Sequence, residues 1–118
     1  MATAREAFEA KKLASKYGYV GKVAASYRTA GYKISENIDV NPGAKYNFIA
    51  SKKGEKLVVK VYEKSSNVPL EVLDGLASAA KELEGKPLLV LYGAGPKLTG
   101  EVREKTKELG VSIRRLRM

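Results

Sequence analysis

Apolar residues recur every three to four positions in four stretches of the chain, and this period is that of an amphipathic helix. The first stretch runs to Tyr17 and contains Phe8, Leu13 and Ala14 between polar residues, and Gly18 separates it from the second. Each of the other three is followed within two residues by Gly, which commonly ends a helix. The spacing predicts helices over residues 4–17, 19–30, 70–83 and 97–109.

Five further stretches combine apolar and β-branched residues and are separated from one another by helices or turn residues, as strands are. Residues 56–63 carry Val58, Val59 and Val61, which is typical of a central strand. Residues 88–92 are apolar throughout, which is typical of a strand covered on both faces. The predicted strands are residues 32–40, 45–51, 56–63, 88–92 and 111–116.

The order of these elements, α-α-β-β-β-α-β-α-β, predicts a mixed α/β fold. The first three strands form an antiparallel meander, and the β-α-β-α-β unit that follows adds parallel strands through right-handed crossovers. The result is a mixed central sheet flanked by helices. The length of 118 residues fits one domain, with residues 1–17 as an N-terminal helix outside the core and residues 18–118 as the core.

Composition adds a strong positive charge to this picture. The chain has 22 Lys and Arg against 13 Asp and Glu, for a formal net charge of +9. A surplus of this size on a small domain favours polyanionic partners, with nucleic acid first and anionic membrane second. The Lys-, Glu- and Val-rich composition is also typical of thermophile proteins.

The chain contains neither Cys nor His. This excludes disulfides, thiolate zinc sites, imidazole acid–base catalysis and imidazole metal ligands. A metal ion would have to be a hard cation held by oxygen atoms. The charged N-terminus is unlike a signal peptide, and no apolar run reaches the length of a membrane span, so we expect a cytoplasmic protein that is not attached to a membrane.

Four short motifs follow one another in the chain, and their order and spacing are informative. They are residues 31–34 (GYKI), 47–50 (NFIA), 58–62 (VVKVY) and 68–71 (VPLE). Over residues 18–116 the sequence resembles the core of the restriction-endonuclease-like nucleases, in particular the archaeal Holliday-junction-resolvase branch. The resemblance implies a restriction-endonuclease-like fold that acts on DNA.

The resemblance also implies where the active site of such a nuclease would lie. An Asp and a Glu on the second and third strands hold Mg²⁺ in that family, with a Lys two residues after the Glu and a Glu in the first core helix. In this sequence those positions are Asn47, Lys60, Tyr62 and Lys22. Because a divalent cation needs anionic oxygen ligands, these replacements predict a degenerate site without metal, cofactor or hydrolysis.

Basic residues near this degenerate site are the candidates for contacting a phosphate backbone. Lys60 would supply fixed positive charge where the family places a metal ion, and Tyr46 and Tyr62 are candidates for stacking on bases. The residues predicted to bind nucleic acid are Lys45, Lys52, Lys53, Lys56, Lys60, Lys64, Arg114, Arg115, Arg117 and Tyr46. Arg28 and Lys33 lie close to the first predicted strand.

Three functions therefore remain open at this point. The first is a non-catalytic nucleic-acid-binding protein, with DNA favoured over RNA. The second is a structural or regulatory subunit that forms a homodimer or pairs with an active nuclease paralogue or another protein, with the N-terminal helix as the docking surface. The third is a Mg²⁺-dependent, structure-specific DNA endonuclease whose site has shifted to other carboxylates, such as that of Asp39.

Overall fold

The computed structural model describes residues 4–35, 37–41 and 43–116, apart from the side chain of Glu6. Helices and strands account for most of this part of the chain. The elements are α1 (Ala4–Thr29), β1 (Lys33–Ile34), β2 (Phe48–Lys52), β3 (Glu55–Tyr62), α2 (Leu70–Glu82), β4 (Lys86–Tyr92), α3 (Gly100–Leu109) and β5 (Ser112–Leu116).

The strands form one mixed sheet in the order β1-β2-β3-β4-β5. β1, β2 and β3 pair antiparallel, whereas β3, β4 and β5 pair parallel. The predicted meander and the predicted β-α-β-α-β unit are therefore both confirmed, and they meet at β3.

The side chains of β3 alternate between two hydrophobic cores, one on each face of the sheet. Val59 and Val61 pack on the face that α1 covers, while Val58 and Tyr62 pack on the face that α2 and α3 cover. All four side chains are buried. The run of β-branched residues in β3 is thus explained by a central strand with helices on both sides.

The first strand is much shorter than predicted, because only Lys33 and Ile34 pair regularly with β2. Beyond Ser35, whose hydroxyl accepts a hydrogen bond from the amide of Ile49, the chain leaves the sheet. It returns at Asp39, whose amide donates to the carbonyl oxygen of Asn47. The prediction of a strand over residues 32–40 was wrong because Ile34 and Ile38 both pack against the core on the α1 face, whereas residues 37–40 belong to no strand.

The last helix starts three residues later than predicted, at Gly100. Thr99 caps it by accepting a hydrogen bond from the amide of Val102. Lys97 instead lies in an extended segment, where its amide and carbonyl both bond to the loop that follows β3. The prediction missed this start because the three-to-four spacing extends through Leu98.

Within the part of the chain that the structure describes, no helix has both the length and the continuous apolar character that a membrane span requires.

Candidate nucleic-acid interface

Gly18 divides α1 into two arms, residues 4–17 and residues 19–29, that fold back on each other. Its backbone has φ 62° and ψ −138°, a conformation that residues with a side chain rarely adopt. The carboxylate of Glu9 lies 2.6 Å from the Nε of Arg28, although about 28 Å would separate these positions along one continuous helix. We therefore describe α1 as a helical hairpin with a first arm and a second arm.

The arms are in close contact at Gly21. A Cβ at this position would overlap the backbone carbonyl of Leu13 in the first arm, so the contact depends on glycine. Val20 and Val23, on either side of Gly21 in the second arm, are completely buried against the sheet. The second arm therefore anchors the hairpin, and the first arm rests on it.

A groove of about 770 Å³ lies between the first arm, the end of the second arm and the segment that starts with β1. Positive side chains from all three segments line it. Among the described side chains, five cations and a single carboxylate, that of Glu9, face this space. We call it the basic groove, and its cations are Arg5, Lys12, Lys16, Arg28 and Lys33.

The negative charge of Glu9 is paired with two of these cations. Its carboxylate accepts hydrogen bonds from the Nε of Arg28 at 2.6 Å and from the Nε of Arg5 at 3.3 Å. The hydrogen bond from Arg28 is the main cause that lowers the pKa of Glu9 below its ordinary value. Burial opposes it, and the positive charge of Arg28 and the hydrogen bond and charge of Arg5 add to the lowering. The basic groove therefore keeps a net positive charge.

Lys52 reaches the same end of the helical hairpin from β2. Its Nζ donates to the carbonyl oxygen of Ala30 at 2.9 Å and lies 5.3 Å from the centre of the Tyr32 ring. Arg28 in turn donates to the carbonyl oxygen of Tyr32 at 3.2 Å. Of the residues predicted to bind nucleic acid, Lys52 is therefore placed beside the basic groove, with the exposed Lys53 next to it.

Asn47 occupies the position of the family's Asp and is 2% exposed. Its amide nitrogen donates to the carbonyl oxygen of Asp39 at 2.6 Å, and its amide oxygen accepts from the backbone amide of Val61 at 2.7 Å. Both ends of the side chain are thus bonded to the backbone. Asn47 therefore connects the start of β2 to β3 and to the segment at Asp39 that precedes β2.

Lys60 occupies the position of the family's Glu and is 4% exposed, on the face of the sheet that α2 covers. Its Nζ donates to the carbonyl oxygen of Ala44 at 2.7 Å. Burial lowers the pKa of Lys60 below its ordinary value, the negative charge of Asp39 opposes this, and the positive charge of Lys64 adds to it. The structure therefore places a cation inside the protein at this position.

Tyr62 and Lys60 line one small pocket of about 140 Å³ at the end of β3, together with Tyr19 and Lys64. The hydroxyl of Tyr62 lies 3.1 Å from the hydroxyl of Ser66. Lys22, in contrast, is an exposed residue of α1 and is not among those that line this pocket. The structure thus brings together three of the four positions of the degenerate site, since Asn47 contacts β3 directly.

The other predicted contacts are spread over the molecule. Lys45 contacts Gly75 of α2, and the Nζ of Lys56 donates to the carbonyl oxygen of Leu83 at 3.0 Å, so both lie on the face opposite the basic groove. Tyr46 is half-buried and packs against the core on that same face.

The arginines of β5 are bonded within the chain. Arg115 donates to the carbonyl oxygens of Gly93 at 2.7 Å and Pro96 at 2.6 Å, and it thereby fixes the loop before α3. Arg114 donates to the hydroxyl of Tyr27 at 3.2 Å and lies over its ring. Arg117 lies outside the described residues.

None of the five cations of the basic groove is among the residues predicted to bind nucleic acid. Two of them, Arg28 and Lys33, lie beside the first predicted strand, and the other three, Arg5, Lys12 and Lys16, lie in the first arm. Their spacing, together with Glu9, places them on one face of a helix, and this signal is present in the sequence. The turn at Gly18, which brings that face towards Arg28 and Lys33, depends on tertiary packing and leaves no such periodic signal.

These observations define a mixed α/β protein with a five-stranded sheet, helices on both faces and a basic groove beside the sheet edge. No family model matches the sequence.

Proteins similar to this chain include a regulatory protein and a protein of solved structure. One, named as an HTH-type transcriptional regulatory protein, comes from Methanosphaerula palustris and is 38% identical over 61 residues, or 52% of this chain. The other is SfsA of Pyrococcus furiosus, solved in complex with Ca²⁺, which has a TM-score of 0.58, 14% sequence identity and a match to 91% of this chain. The second likeness shows a shared fold. The matches span 20% of the regulatory protein and 57% of SfsA.

Proposed function

We propose that this protein is a non-catalytic nucleic-acid-binding module on a restriction-endonuclease-like scaffold. The observation that carries the proposal is the convergence of five cations, from three segments of the chain, on the basic groove. A nucleic-acid backbone presents a regular row of negative charges, which such a groove binds without reading the base sequence.

The distribution of charge between the two helical layers supports this choice. α1 contains six basic and two acidic residues, whereas α2 and α3 together contain four basic and six acidic residues. Of the two helical layers, the one that forms the basic groove is therefore net positive and the opposite one is net negative. Positive charge that served solubility alone would be expected on both layers.

The absence of catalysis is proposed from the chemistry of the degenerate site. Lys60 places an ammonium group where the related nucleases need a carboxylate, and both polar atoms of Asn47 are bonded to the backbone. We expect no cleavage of branched or duplex DNA with Mg²⁺ or Mn²⁺. Metal-dependent cleavage that disappears in Asp39→Asn would overturn this part of the proposal.

The similar regulatory protein supports DNA as the partner in preference to RNA, because transcriptional regulators of the HTH type act on DNA. The similarity to SfsA supports only the scaffold.

Charge reversal in the groove tests the proposal. We compare Lys12→Glu/Lys16→Glu with a control, Lys81→Glu/Lys107→Glu, that makes the same change of net charge on α2 and α3. Fluorescence anisotropy with a labelled DNA oligonucleotide at low salt should show a loss of about tenfold or more for the groove variant and little change for the control. No binding by the wild-type protein at low salt, or equal losses in both variants, would contradict the proposal.

A second candidate function rests on Phe8, which is 69% exposed on the first arm. Phe is enriched in protein–protein interfaces, so this side chain would suit a regulatory subunit that forms a homodimer or pairs with a nuclease paralogue. Light scattering tests this candidate. An oligomer of the wild type that dissociates in Phe8→Ser would support it. A wild-type monomer, both with and without nucleic acid, would contradict the homodimer.

A further inference from the structure

The side chains of the basic groove differ in exposure: most of its cations, which form the rim, are exposed, whereas its apolar side chains, which form the floor, are half-buried. Leu13, Tyr17, Ile34 and Ile38 line the groove and are partly exposed, so apolar and aromatic surface lies between the cations. A surface that only contacted the outside of a duplex would meet phosphate and sugar, and apolar side chains would gain little there. The apolar lining therefore favours a form of nucleic acid that exposes its bases.

We propose that the basic groove binds single-stranded nucleic acid, with phosphates at the cationic rim and unpaired bases against the apolar floor. This inference rests on the proposed function and specifies its substrate class. In a duplex the flat faces of the bases are stacked inside the helix, whereas in a single strand they are free to leave the stack and contact an aromatic side chain. The groove matches the second case.

Tyr17 is the residue that best fits contact with a base. It is half-buried in the first arm, directly before the turn at Gly18, and it lines the groove. The Nζ of Lys16 lies 5.3 Å from the centre of its ring. A nucleotide carries one negative charge beside one flat apolar ring, and Lys16 with Tyr17 presents the complementary pair. An acidic peptide supplies the charge but only occasionally a flat ring.

The experiment measures binding of a single-stranded oligonucleotide and of its duplex, equal in length, by the wild-type protein and three variants. Tyr17→Leu keeps an apolar side chain but cannot stack as an aromatic ring does, Tyr17→Phe keeps the ring, and Tyr92→Leu changes a partly exposed tyrosine that does not line the groove. We expect the wild type to favour the single strand. Tyr17→Leu should weaken single-strand binding by about fivefold or more, as for the loss of one aromatic stack, while the other two variants stay near wild type.

The outcomes separate the two proposals. Equal affinity for duplex and single strand, with no effect of Tyr17→Leu, would overturn the single-strand inference and leave nucleic-acid binding intact. Competition by polyglutamate as effective as that by the single strand at equal charge would show that an acidic polypeptide fits the groove as well, and would also overturn the inference. No binding of either oligonucleotide at low salt would instead contradict the proposed function itself.

Discussion

Glu9 and Lys60 are charged side chains whose surroundings lower the pKa for opposite reasons. Hydrogen bonds and the charges of two arginines favour the ionised form of Glu9, whereas burial disfavours the ionised form of Lys60. The first shift therefore accompanies a stabilising contact within the helical hairpin, and the second accompanies a cost of holding a cation inside the protein.

Replacing Lys60 by methionine should alter how stability depends on pH. Because the pKa of Lys60 in the folded state is below its ordinary value of 10.5, the unfolded chain binds more protons between these two values. The free energy of unfolding of the wild type should therefore gain up to about 1.4 kcal/mol per pH unit from this residue as the pH rises through that window. Lys60→Met lacks the gain.

Urea unfolding of both proteins from neutral pH to pH 10.5 measures this effect, with Lys81→Met as a control for replacing an exposed lysine. The difference in unfolding free energy, Lys60→Met minus wild type, should fall as the pH rises. A difference that stays constant over this range would show that Lys60 titrates as it does in the unfolded chain.

Replacing Glu9 by glutamine should strengthen nucleic-acid binding. The variant removes the negative charge from the basic groove and leaves Arg5 and Arg28 free to contact phosphate, for a gain of about fivefold at low salt. Glu104→Gln makes the same change of charge on α3 and should have little effect. Anisotropy titrations at a pH above 4.5, where the lowered pKa keeps Glu9 ionised in the folded wild type, measure the difference.

Weaker binding by Glu9→Gln than by wild type would indicate that the contact of Glu9 with Arg28 matters more for the shape of the groove than for its charge. The stability provided by this contact should be complete above pH 4.5 and should disappear as the pH falls through the lowered pKa of Glu9.

At the scale of elements, the helical hairpin forms the basic groove only if its two arms stay in contact. The contact at Gly21 leaves no space for a Cβ beside the carbonyl of Leu13. Gly100, the first residue of α3, has nothing within contact distance of the Cβ it would gain and has a backbone conformation that other residues adopt. These two glycines allow a direct comparison of a packed and an unpacked position.

Gly21→Ala should destabilise the protein by about 1–3 kcal/mol, because the arms must separate or the second arm must shift in the core. Gly100→Ala should be neutral or slightly stabilising, since it restricts only the unfolded chain. Thermal unfolding measures both. The groove should also bind nucleic acid more weakly in Gly21→Ala, and unchanged stability in that variant would contradict the close packing of the arms.

The regular elements could be predicted because each depends on a local pattern. The valines of β3 and the apolar run of β4 identify two central strands, and the stripe of apolar residues in α2 identifies a helix. β1 was overestimated because Ile34 and Ile38 have the even spacing of one strand face and both pack against the core, although residues 37–40 belong to no strand. The sequence pattern records which residues are buried but not whether the backbone between them pairs.

At the scale of the whole molecule, the site was harder to predict than the fold. The net charge indicated a polyanionic partner, and the resemblance directed attention to Asn47 and Lys60, which the structure places in buried, hydrogen-bonded positions. The basic groove instead combines residues 5–16 with Arg28 and Lys33, which only the turn at Gly18 brings together. A groove formed by distant segments has no signature in the spacing of any one segment.

The salt dependence of single-strand binding tests the central claim most directly. Each phosphate contact releases counterions, so the logarithm of the binding constant falls linearly with the logarithm of salt concentration, by about 0.7 for each contact to a single strand. With the five groove cations engaged, we predict a slope of roughly −3 to −4 for the wild type, and a slope less steep by about 1.4 for Lys12→Glu/Lys16→Glu. A slope near zero, or the same slope in both proteins, would contradict binding in the basic groove.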